Sequence, residues 1–197
     1  IIPPHFVNTA TFTGTGQLPK FANEAYSIND SEFWMIPTAE VPLTGMYRDE
    51  ILEEKQLPLR YMAYTACFRR EAGAAGKDTR GLQRLHEFHK LELLRICKEE
   101  DVYSEFEGLV SDAEGTLNAL ELPYRVVDLC TYDLTFTASR VYDLEVWAPG
   151  LGKWLEASSC GIFTDYQARR GNIRYRDSKS KKLRFVNFLN GSGLAVP

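Results

Sequence analysis

Residues 68–92 carry the feature that most constrains this chain: charged side chains placed inside two strand-like segments. The flanking runs, YMAYTACFRRE at 61–71 and LHEFHKLELLRIC at 85–97, have an alternation typical of β-strands. One face of the first strand is expected to gather Thr65, Cys67, Arg69 and Glu71. One face of the second is expected to gather Phe88, Lys90 and Glu92. A sheet seldom carries Arg, Glu and an exposed aromatic ring on one face unless a ligand binds there, so the pattern predicts a hairpin with a binding face.

The dimensions of this face suit a ligand the size of a nucleotide. Phe88 and Glu92 are four residues apart, which is about 13 Å at roughly 3.3 Å per residue of strand. The ring could stack on a base, and the carboxylate could hold an amine. The connecting loop is longer than a usual hairpin loop, which favours a functional role, and its cations Lys77, Arg80 and Arg84 suit a polyphosphate. Spacing alone leaves a solvated hairpin with a charged face as an equal alternative.

Composition limits the class of protein. A chain of 197 residues with 44% hydrophobic and 25% charged residues is long enough for one domain with a sizeable core. The net charge of −4 argues against a general nucleic-acid binder, so any RNA contact should be local. The sequence has no run of 18 apolar residues and no signal peptide, so we expect a cytoplasmic protein with no membrane partner. Four cysteines without a C-x-x-C pair are expected to be reduced thiols, three of them in apolar surroundings.

Strands outnumber helices in the predicted elements. The clearest helix is 98–122, whose apolar residues recur at i, i+3 and i+4 and which Pro123 ends. The first 30 residues are loop-rich, and 33–52 combines an apolar run, a turn and a helical pattern. Strands are predicted at 124–129, 142–148 and 153–160, with a hairpin and basic turn over 173–193. Strands joined in hairpins favour an antiparallel α+β domain.

The segment 68–92 resembles motif 2 of the class II aminoacyl-tRNA synthetases. In detail it is similar to the seryl-tRNA synthetase form, F-R-x-E-A-G-x-x-G-[KR]-D-T-R-G-L-x-R-x-H-Q-F-x-K-V-E, against FRREAGAAGKDTRGLQRLHEFHKLE here. A match of this length and specificity is very improbable by chance. The resemblance implies an α+β fold of the class II synthetase type, an antiparallel β-sheet flanked by helices.

Three further segments resemble other motifs of this family. IPTAEVPLT carries a T-x-E loop like the one that contributes to the serine pocket. LEASSCGIFTDYQARR is similar to the first part of motif 3, E-I-S-S-C-S-N-x-x-D-F-Q-A-R-R, and LNGSGLAVP matches its end. Strict alternation would pair Glu156 with Ser158, so a β-bulge is needed to turn Ser159 towards the same face. A basic cluster follows, for which salt bridges are at least as good an explanation as an RNA contact: Arg169, Arg170, Arg174 and Arg176.

The family reaction has two steps by this resemblance. A serine carboxylate attacks the α-phosphate of ATP to give seryl-adenylate and pyrophosphate, and the 3′-terminal ribose of tRNA(Ser) then takes the seryl group. The first step needs positioning and charge neutralisation rather than a covalent enzyme group. The resemblance implies three catalytic residues: Arg69, Glu71 and Glu156. It implies a serine pocket of Thr38, Glu40, Arg69, Glu92, Asn190 and Ser192.

The remaining implied residues bind ATP and Mg²⁺. The ATP site would comprise Arg69, Glu71, Arg84, Phe88, Glu156 and Ser159, and Mg²⁺ would lie on Glu156 and Ser159. Arg69 would bridge the serine carboxylate and the α-phosphate, and Phe88 would stack on adenine. Glu92 would hold the serine ammonium, and Glu71 would meet the adenine amino group or the metal.

The resemblance also sets expectations for domain organisation. IIPPHFV resembles the tail of motif 1, and the chain stops one residue before the Arg that binds ATP phosphates in motif 3. We therefore expect residues 1–197 to be a single catalytic-core domain, truncated at the end of motif 1 and within motif 3, without the N-terminal helical arm that grips tRNA. The intact family is a homodimer, and the sequence leaves the assembly of this chain open.

Seven positions depart from the family pattern: Gly45, Glu87, Tyr132, Thr135, Ile162, Asn187 and Phe188. One hypothesis is deliberate alteration of a pocket or a trimmed core, and natural variation is the alternative. Two other functional hypotheses stand beside a serine–tRNA ligase core. One is a non-catalytic scaffold or ligand-binding domain with the same fold, and the other is a paralogue that activates a different small amino acid.

Overall fold

The computed structural model describes residues 1–72 and 83–196, and a six-stranded antiparallel sheet is its centre. In chain order the strands are β1 (Phe6–Asn8), β2 (Phe33–Met35), β3 (Ile51–Glu53), β4 (Leu59–Phe68), β5 (Glu87–Cys97), β6 (Tyr124–Asp128), β7 (Arg140–Ala148), β8 (Lys153–Thr164), β9 (Arg174–Arg176), β10 (Leu183–Phe185) and β11 (Asn187–Val196). The helices are α1 (Thr9–Gly14), α2 (Glu40–Gly45), α3 (Val102–Ala119) and α4 (Tyr166–Gly171). The sheet order is β4-β5-β11-β8-β7-β6. This arrangement confirms the predicted α+β class.

Helix α3 covers one face of the sheet. Its apolar residues recur at helical spacing and are buried, among them Phe106, Leu109 and Ala113 at 0% exposure. They pack against Leu144, Cys160 and Leu189 of three neighbouring strands. Burial of this stripe stabilises the helix on the sheet, because most of the stability of a helix in a protein comes from packing of its apolar face.

The opposite face of the sheet is divided between a core and a cavity. Towards one end, Leu94 and Ile96 of β5 and Phe188 of β11 are fully buried with α2 and α4. Towards the other end, the same face of β5 carries Lys90 and Glu92 into an open cavity. Alternation along one strand therefore sets both the core and the polar site, as the sequence pattern indicates.

The N-terminal segment positions the site although the sequence indicates mainly loop there. Strand β1 pairs with β2, and Asn8 caps α1 by accepting a hydrogen bond from the Thr11 amide at 2.9 Å. Glu24 then accepts from the backbone amides of Arg70 and Ala72 at 2.8 and 3.1 Å. These bonds hold the chain where it leaves β4.

Some element boundaries differ from the sequence prediction. The helix predicted over 98–122 is shorter, with a 3₁₀ turn at Glu99–Asp101 before α3. The strand predicted to run to Glu71 ends at Phe68, and Glu71 has a φ of 50°. Strand alternation therefore does not set the direction of Arg69 and Glu71. The amide of Arg69 instead bonds to the His86 carbonyl at 3.0 Å, which closes the end of the hairpin.

The positions that depart from the family pattern fall in different surroundings. Ile162 and Phe188 are core residues at 2% and 0% exposure, whereas Tyr132 is 93% exposed and Glu87 is also exposed. A Cβ at Gly45 would lie 2.5 Å from Cγ2 of Thr11, so the packing of α1 against α2 leaves no room for a larger side chain there. These five positions thus do not share one environment.

The cysteines behave as predicted. Cys67, Cys97 and Cys160 are buried, Cys130 is exposed, and all four are free thiols. Burial raises the pKa of Cys97 and Cys160 to about 12, so these thiols are protonated and inert at neutral pH.

None of the helices in the described ranges has the length and apolar character needed to cross a membrane.

Candidate active site

Two adjoining cavities lie on the open face of the sheet. One has a volume of about 560 Å³ and is lined by Thr38, Glu40, Glu92 and Asn190, among others. The second has a volume of about 530 Å³ and is lined by Phe88. Both are lined by a common set: Arg69, Glu71, Arg84, Lys90, Glu156 and Ser192. The predicted serine and ATP residues therefore lie in one continuous site, with the predicted catalytic residues at its junction.

Glu92 lines the first cavity and is 1% exposed. Its Oε2 accepts a hydrogen bond from the Thr38 hydroxyl at 3.0 Å and lies 2.5 Å from Nζ of Lys90. Thr38 Oγ1 also accepts from the Glu40 amide at 3.2 Å, so Thr38 holds the start of α2 as well as Glu92. The ion pair with the Lys90 ammonium shows that the Glu92 carboxylate can hold an ammonium group.

Glu40 is a second buried carboxyl group in the same cavity. Burial is the main cause that raises its pKa to about 7, and the neighbouring charge of Glu92 adds to the rise. Gln167, Lys90 and Asn190 act in the opposite direction by favouring the charged form. Two carboxyl groups thus face a single buried lysine, and a ligand cation would balance their charge.

Asn190 and Ser192 lie on the same face of β11 and line this cavity. Asn190 is 7% exposed, and its Nδ2 is a buried donor without a hydrogen-bond partner among the described residues. Buried donors are nearly always satisfied in folded proteins. Asn190 lies close enough to Glu40 to favour its charged form but makes no hydrogen bond of normal geometry to it, so Nδ2 is available to a ligand acceptor, such as a hydroxyl oxygen.

Arg69 stands at the junction of the two cavities. Its Nε donates to the Pro37 carbonyl at 3.2 Å, and its guanidinium carbon lies 5.1 Å from the centre of the Phe88 ring. The two contacts fix the side chain and leave the planar end of the guanidinium available for anions. Phe88 is half-buried and lines the second cavity.

Glu71 and Arg84 form an ion pair at 2.9 Å beside Arg69. The Arg84 side chain is 51% exposed, so it can leave this pair for a ligand at little cost. The predicted loop cations Lys77 and Arg80 lie outside the described residues.

A β-bulge places Glu156 and Ser159 together on the cavity face. Leu144 pairs with Ser158 and Glu145 pairs with Glu156, so Ala157 is the extra residue of β8. Ser158 points away and bonds to the Ser192 carbonyl, whereas Ser159 lines the first cavity. The bulge that the motif resemblance requires is therefore present.

Asp143 extends this group and was not among the predicted site residues. It pairs in register with Ser159, and its Oδ1 is buried with no hydrogen-bond partner in the described part of the chain. Burial raises the pKa of Asp143, and burial together with the Asp143 charge raises that of Glu156. A hydroxyl and two crowded carboxylates, one with an unpaired oxygen, fit a hard cation such as Mg²⁺. The described residues contain no group of three or more His, Cys, Asp or Glu arranged as a metal site.

Sequence reasoning assigns no site role to three polar residues here: Lys90, Asp143 and Gln167. Alternation along β5 predicts Lys90 on the binding face between Phe88 and Glu92, and that signal could also have assigned its role. Asp143 and Gln167 are brought to the site by strand register and by helix packing, which cannot be inferred from the sequence alone.

The predicted basic cluster is held mostly by contacts within the protein. Arg169 pairs with Asp165, and Arg170 donates to the carbonyls of Thr13 and Leu18.

Comparison with known proteins shows the family to which this chain belongs. The family model described as tRNA synthetase class II core domain (G, H, P, S and T) matches residues 21–197. The chain therefore belongs to the class II tRNA synthetase core-domain family. Within that family its similarity is to serine–tRNA ligases. The serine–tRNA ligase of Gloeobacter violaceus is 58% identical over 196 residues, which cover 100% of this chain and 46% of the relative.

Solved structures agree with the sequence comparison. Seryl-tRNA synthetase from Pyrococcus horikoshii, complexed with ATP, has a TM-score of 0.95 and 44% identity and is matched over 99% of this chain and 44% of its own. The cytoplasmic serine–tRNA ligase of Naegleria fowleri, in complex with AMP, has a TM-score of 0.92 and 32% identity and is matched over 100% and 47%. The chain thus spans about half the length of the relatives it matches.

Proposed function

We propose that this chain is a catalytic core that activates serine with ATP to form seryl-adenylate, for transfer to tRNA(Ser). The observation that carries the proposal is the shared wall of the two cavities. Ammonium-binding groups lie in one cavity, an aromatic ring lies in the other, and Arg69 lines both. A joined amino acid and nucleotide would have their reacting atoms at that wall.

The first step then follows from the charges of the site. Glu92 and Thr38 bind the serine ammonium, and Asn190 Nδ2 donates to its hydroxyl oxygen. Phe88 stacks on adenine, and Glu71 meets its amino group. Arg69 holds the serine carboxylate near the α-phosphate, so that a carboxylate oxygen attacks phosphorus and pyrophosphate leaves. The guanidinium neutralises charge that develops on the phosphate oxygens.

Glu156 and Ser159 are the proposed ligands of Mg²⁺. The ion would supply charge neutralisation for the ATP phosphates when bound. Glu156 contributes a carboxylate and Ser159 a hydroxyl from the bulged strand, and Arg84 reaches the phosphates by leaving Glu71. Ser192 stands beside Asn190 and completes the wall of the serine pocket.

Transfer to tRNA and a cytoplasmic location are the further parts of the proposal. The transfer is supported by the serine–tRNA ligase relatives, whose names state the tRNA substrate. The cytoplasmic relative of Naegleria fowleri supports the compartment.

Amino-acid-dependent exchange of pyrophosphate with ATP tests the proposed activation. We expect exchange with serine and not with alanine or glycine, because these two lack the hydroxyl that the Asn190 donor fits. Arg69→Ala should reduce the rate at least 100-fold, since it removes the group that holds both reacting anions. Arg48→Ala, which changes an exposed arginine outside both cavities, is the matched control and should leave the rate unchanged.

Other outcomes identify the alternative functions. Exchange with a different amino acid would show a paralogue of altered specificity. No exchange with any of them, in a chain that is folded by circular dichroism, would show a non-catalytic domain. Exchange that survives Arg69→Ala would point to a contaminating host enzyme.

A further inference from the structure

Gln167 lies behind the candidate serine pocket and has no role in the mechanism above. It is 0% exposed and belongs to the short helix α4. Its Nε2 donates to Oε1 of Glu40 at 2.6 Å and to the Thr15 carbonyl at 3.2 Å. A carbonyl can only accept, so the Thr15 bond fixes the amide with its NH₂ group towards Glu40.

The contact joins parts of the chain that are distant in sequence. Gln167 is 127 residues from Glu40 and 152 residues from Thr15. Glu40 begins α2, and its carboxylate lines the cavity. Gln167 therefore holds this carboxylate from the side opposite to the ligand space.

The way the amide is buried argues for a role beyond packing. Oε1 of Gln167 has no hydrogen-bond partner in the described ranges. A buried polar atom without a partner destabilises the fold, and the amide is retained although its own oxygen is unpaired. What accounts for it is the NH₂ group, which donates to Glu40 and to the Thr15 carbonyl, and the first of these contacts holds a carboxylate that lines the cavity.

We propose that Gln167 is a positioning residue for the amino-acid pocket, which keeps the Glu40 carboxylate charged and directed at a ligand ammonium. The inference rests on the proposed function, because it takes serine as the ligand. Gln167 acts through Glu40 and does not touch the reacting atoms.

The surrounding charges give this role a pH signature. The groups that face Glu40 are Glu92 and Lys90 of β5, Asn190 of β11 and Gln167 of α4. The pKa of Glu40 is about 7, so the carboxyl gains its charge as pH rises through neutrality. The KM for serine should accordingly fall as pH rises from 6 to 8. Loss of the Gln167 hydrogen bond, which favours the charged form, should move that transition to higher pH.

Gln167→Met is the test variant, because Met has a similar volume and no donor. We expect its KM for serine in the exchange assay at pH 7 to rise about tenfold, from loss of one charge-assisted hydrogen bond. The KM for ATP and kcat should stay within about twofold, since neither depends on Glu40. The pH midpoint of the serine KM should also move upwards.

Arg170→Met is the matched control. Arg170 lies on the same helix and ties it to the same N-terminal segment through Thr13 and Leu18, without contacting Glu40. It should leave the serine KM and its pH midpoint unchanged. If Arg170→Met and Gln167→Met raise the KM equally, Gln167 only holds the helix and the inference is wrong.

A second measurement separates this inference from the proposed function. Side-chain carboxyl NMR of the chain without serine gives the pKa of Glu40 directly. We expect a higher value in Gln167→Met than in the unmodified chain, and an equal value would overturn the inference even if the chain activates serine. Failure of the unmodified chain to exchange with serine would instead refute the proposed function.

Discussion

Phe88 is the aromatic residue proposed to bind the nucleotide, so its substitution tests the ATP end of the site. It lines the second cavity only, and without it Arg69 keeps its contact to the Pro37 carbonyl, so Phe88→Ala should weaken ATP binding more than serine binding. Base stacking on an aromatic ring is worth about 1–3 kcal/mol, so we expect the KM for ATP to rise roughly 10-fold or more. Steady-state exchange kinetics with each substrate varied separately measure both constants.

Tyr64→Ala is the control for this prediction. Tyr64 is 55% exposed, stacks on His89 and lines neither cavity. It should change neither KM. Equal effects of the two substitutions on the ATP KM, or a serine KM in Phe88→Ala that rises as much as the ATP KM, would contradict the division of the site into two ends.

The candidate site residues were accessible from sequence because they lie inside long motifs. Phe88 and Glu92 could be placed on one face by alternation alone, and the structure has them on one strand. Ser159 needed the bulge at Ala157, which alternation cannot supply and which only the motif resemblance suggested. Asp143 and Gln167 could not be found, because their partners are set by register and by helix packing rather than by spacing.

Helix α3 is fixed to the sheet by charged as well as apolar contacts. Arg95 of β5 is buried and pairs with Glu105 at 3.0 Å and Asp112 at 2.5 Å, both on the helix. A Cβ at Gly108 would lie 2.5 Å from Nη1 of Arg95. The absence of a side chain at Gly108 therefore lets Arg95 pass under the helix to its partners.

Two glycines of the same helix should respond oppositely to alanine. Ala is favoured over Gly by about 1 kcal/mol within a helix, and a Cβ at Gly115 meets nothing within 4 Å. Gly115→Ala should therefore stabilise the fold by about 1 kcal/mol. Gly108→Ala should destabilise it by about 2 kcal/mol, because displacing Arg95 from a buried ion pair costs more than the helix gains. Urea unfolding measures both, and stabilisation by Gly108→Ala would contradict the account of this contact.

At the scale of elements, the sequence predicted types better than boundaries. The helix and the strands after Cys97 are predicted because their periodicity is strong. The hairpin predicted over 173–193 is too long, since β9 and β10 form it and residues 187–193 belong to β11 of the central sheet. The end of β4 was placed three residues too late, at Glu71 instead of Phe68. Hydrogen bonds from the amides of Arg69 and Arg70 to the carbonyls of His86 and Glu24, which are distant in sequence, turn the chain there. Such contacts leave no local pattern.

At the scale of the whole molecule, both cavities lie on one face of the central sheet and share part of their lining. Strand order β4-β5-β11-β8 brings motif residues that are about 100 positions apart onto one face. The antiparallel α+β class was predictable from the number of strands and their hairpins. The order of the strands was not, since β11 lies between β5 and β8 and that insertion is visible only in three dimensions.

Calorimetric binding of a non-hydrolysable seryl-adenylate analogue tests the central claim most directly, because this ligand spans both cavities without requiring turnover. The analogue should bind more tightly than AMP or serine alone. Phe88→Ala and Glu92→Ala should each weaken its binding by at least about 1 kcal/mol, and only Phe88→Ala should weaken AMP. Binding no tighter than that of AMP, with no response to Glu92→Ala, would show that the two cavities do not form one seryl-adenylate site.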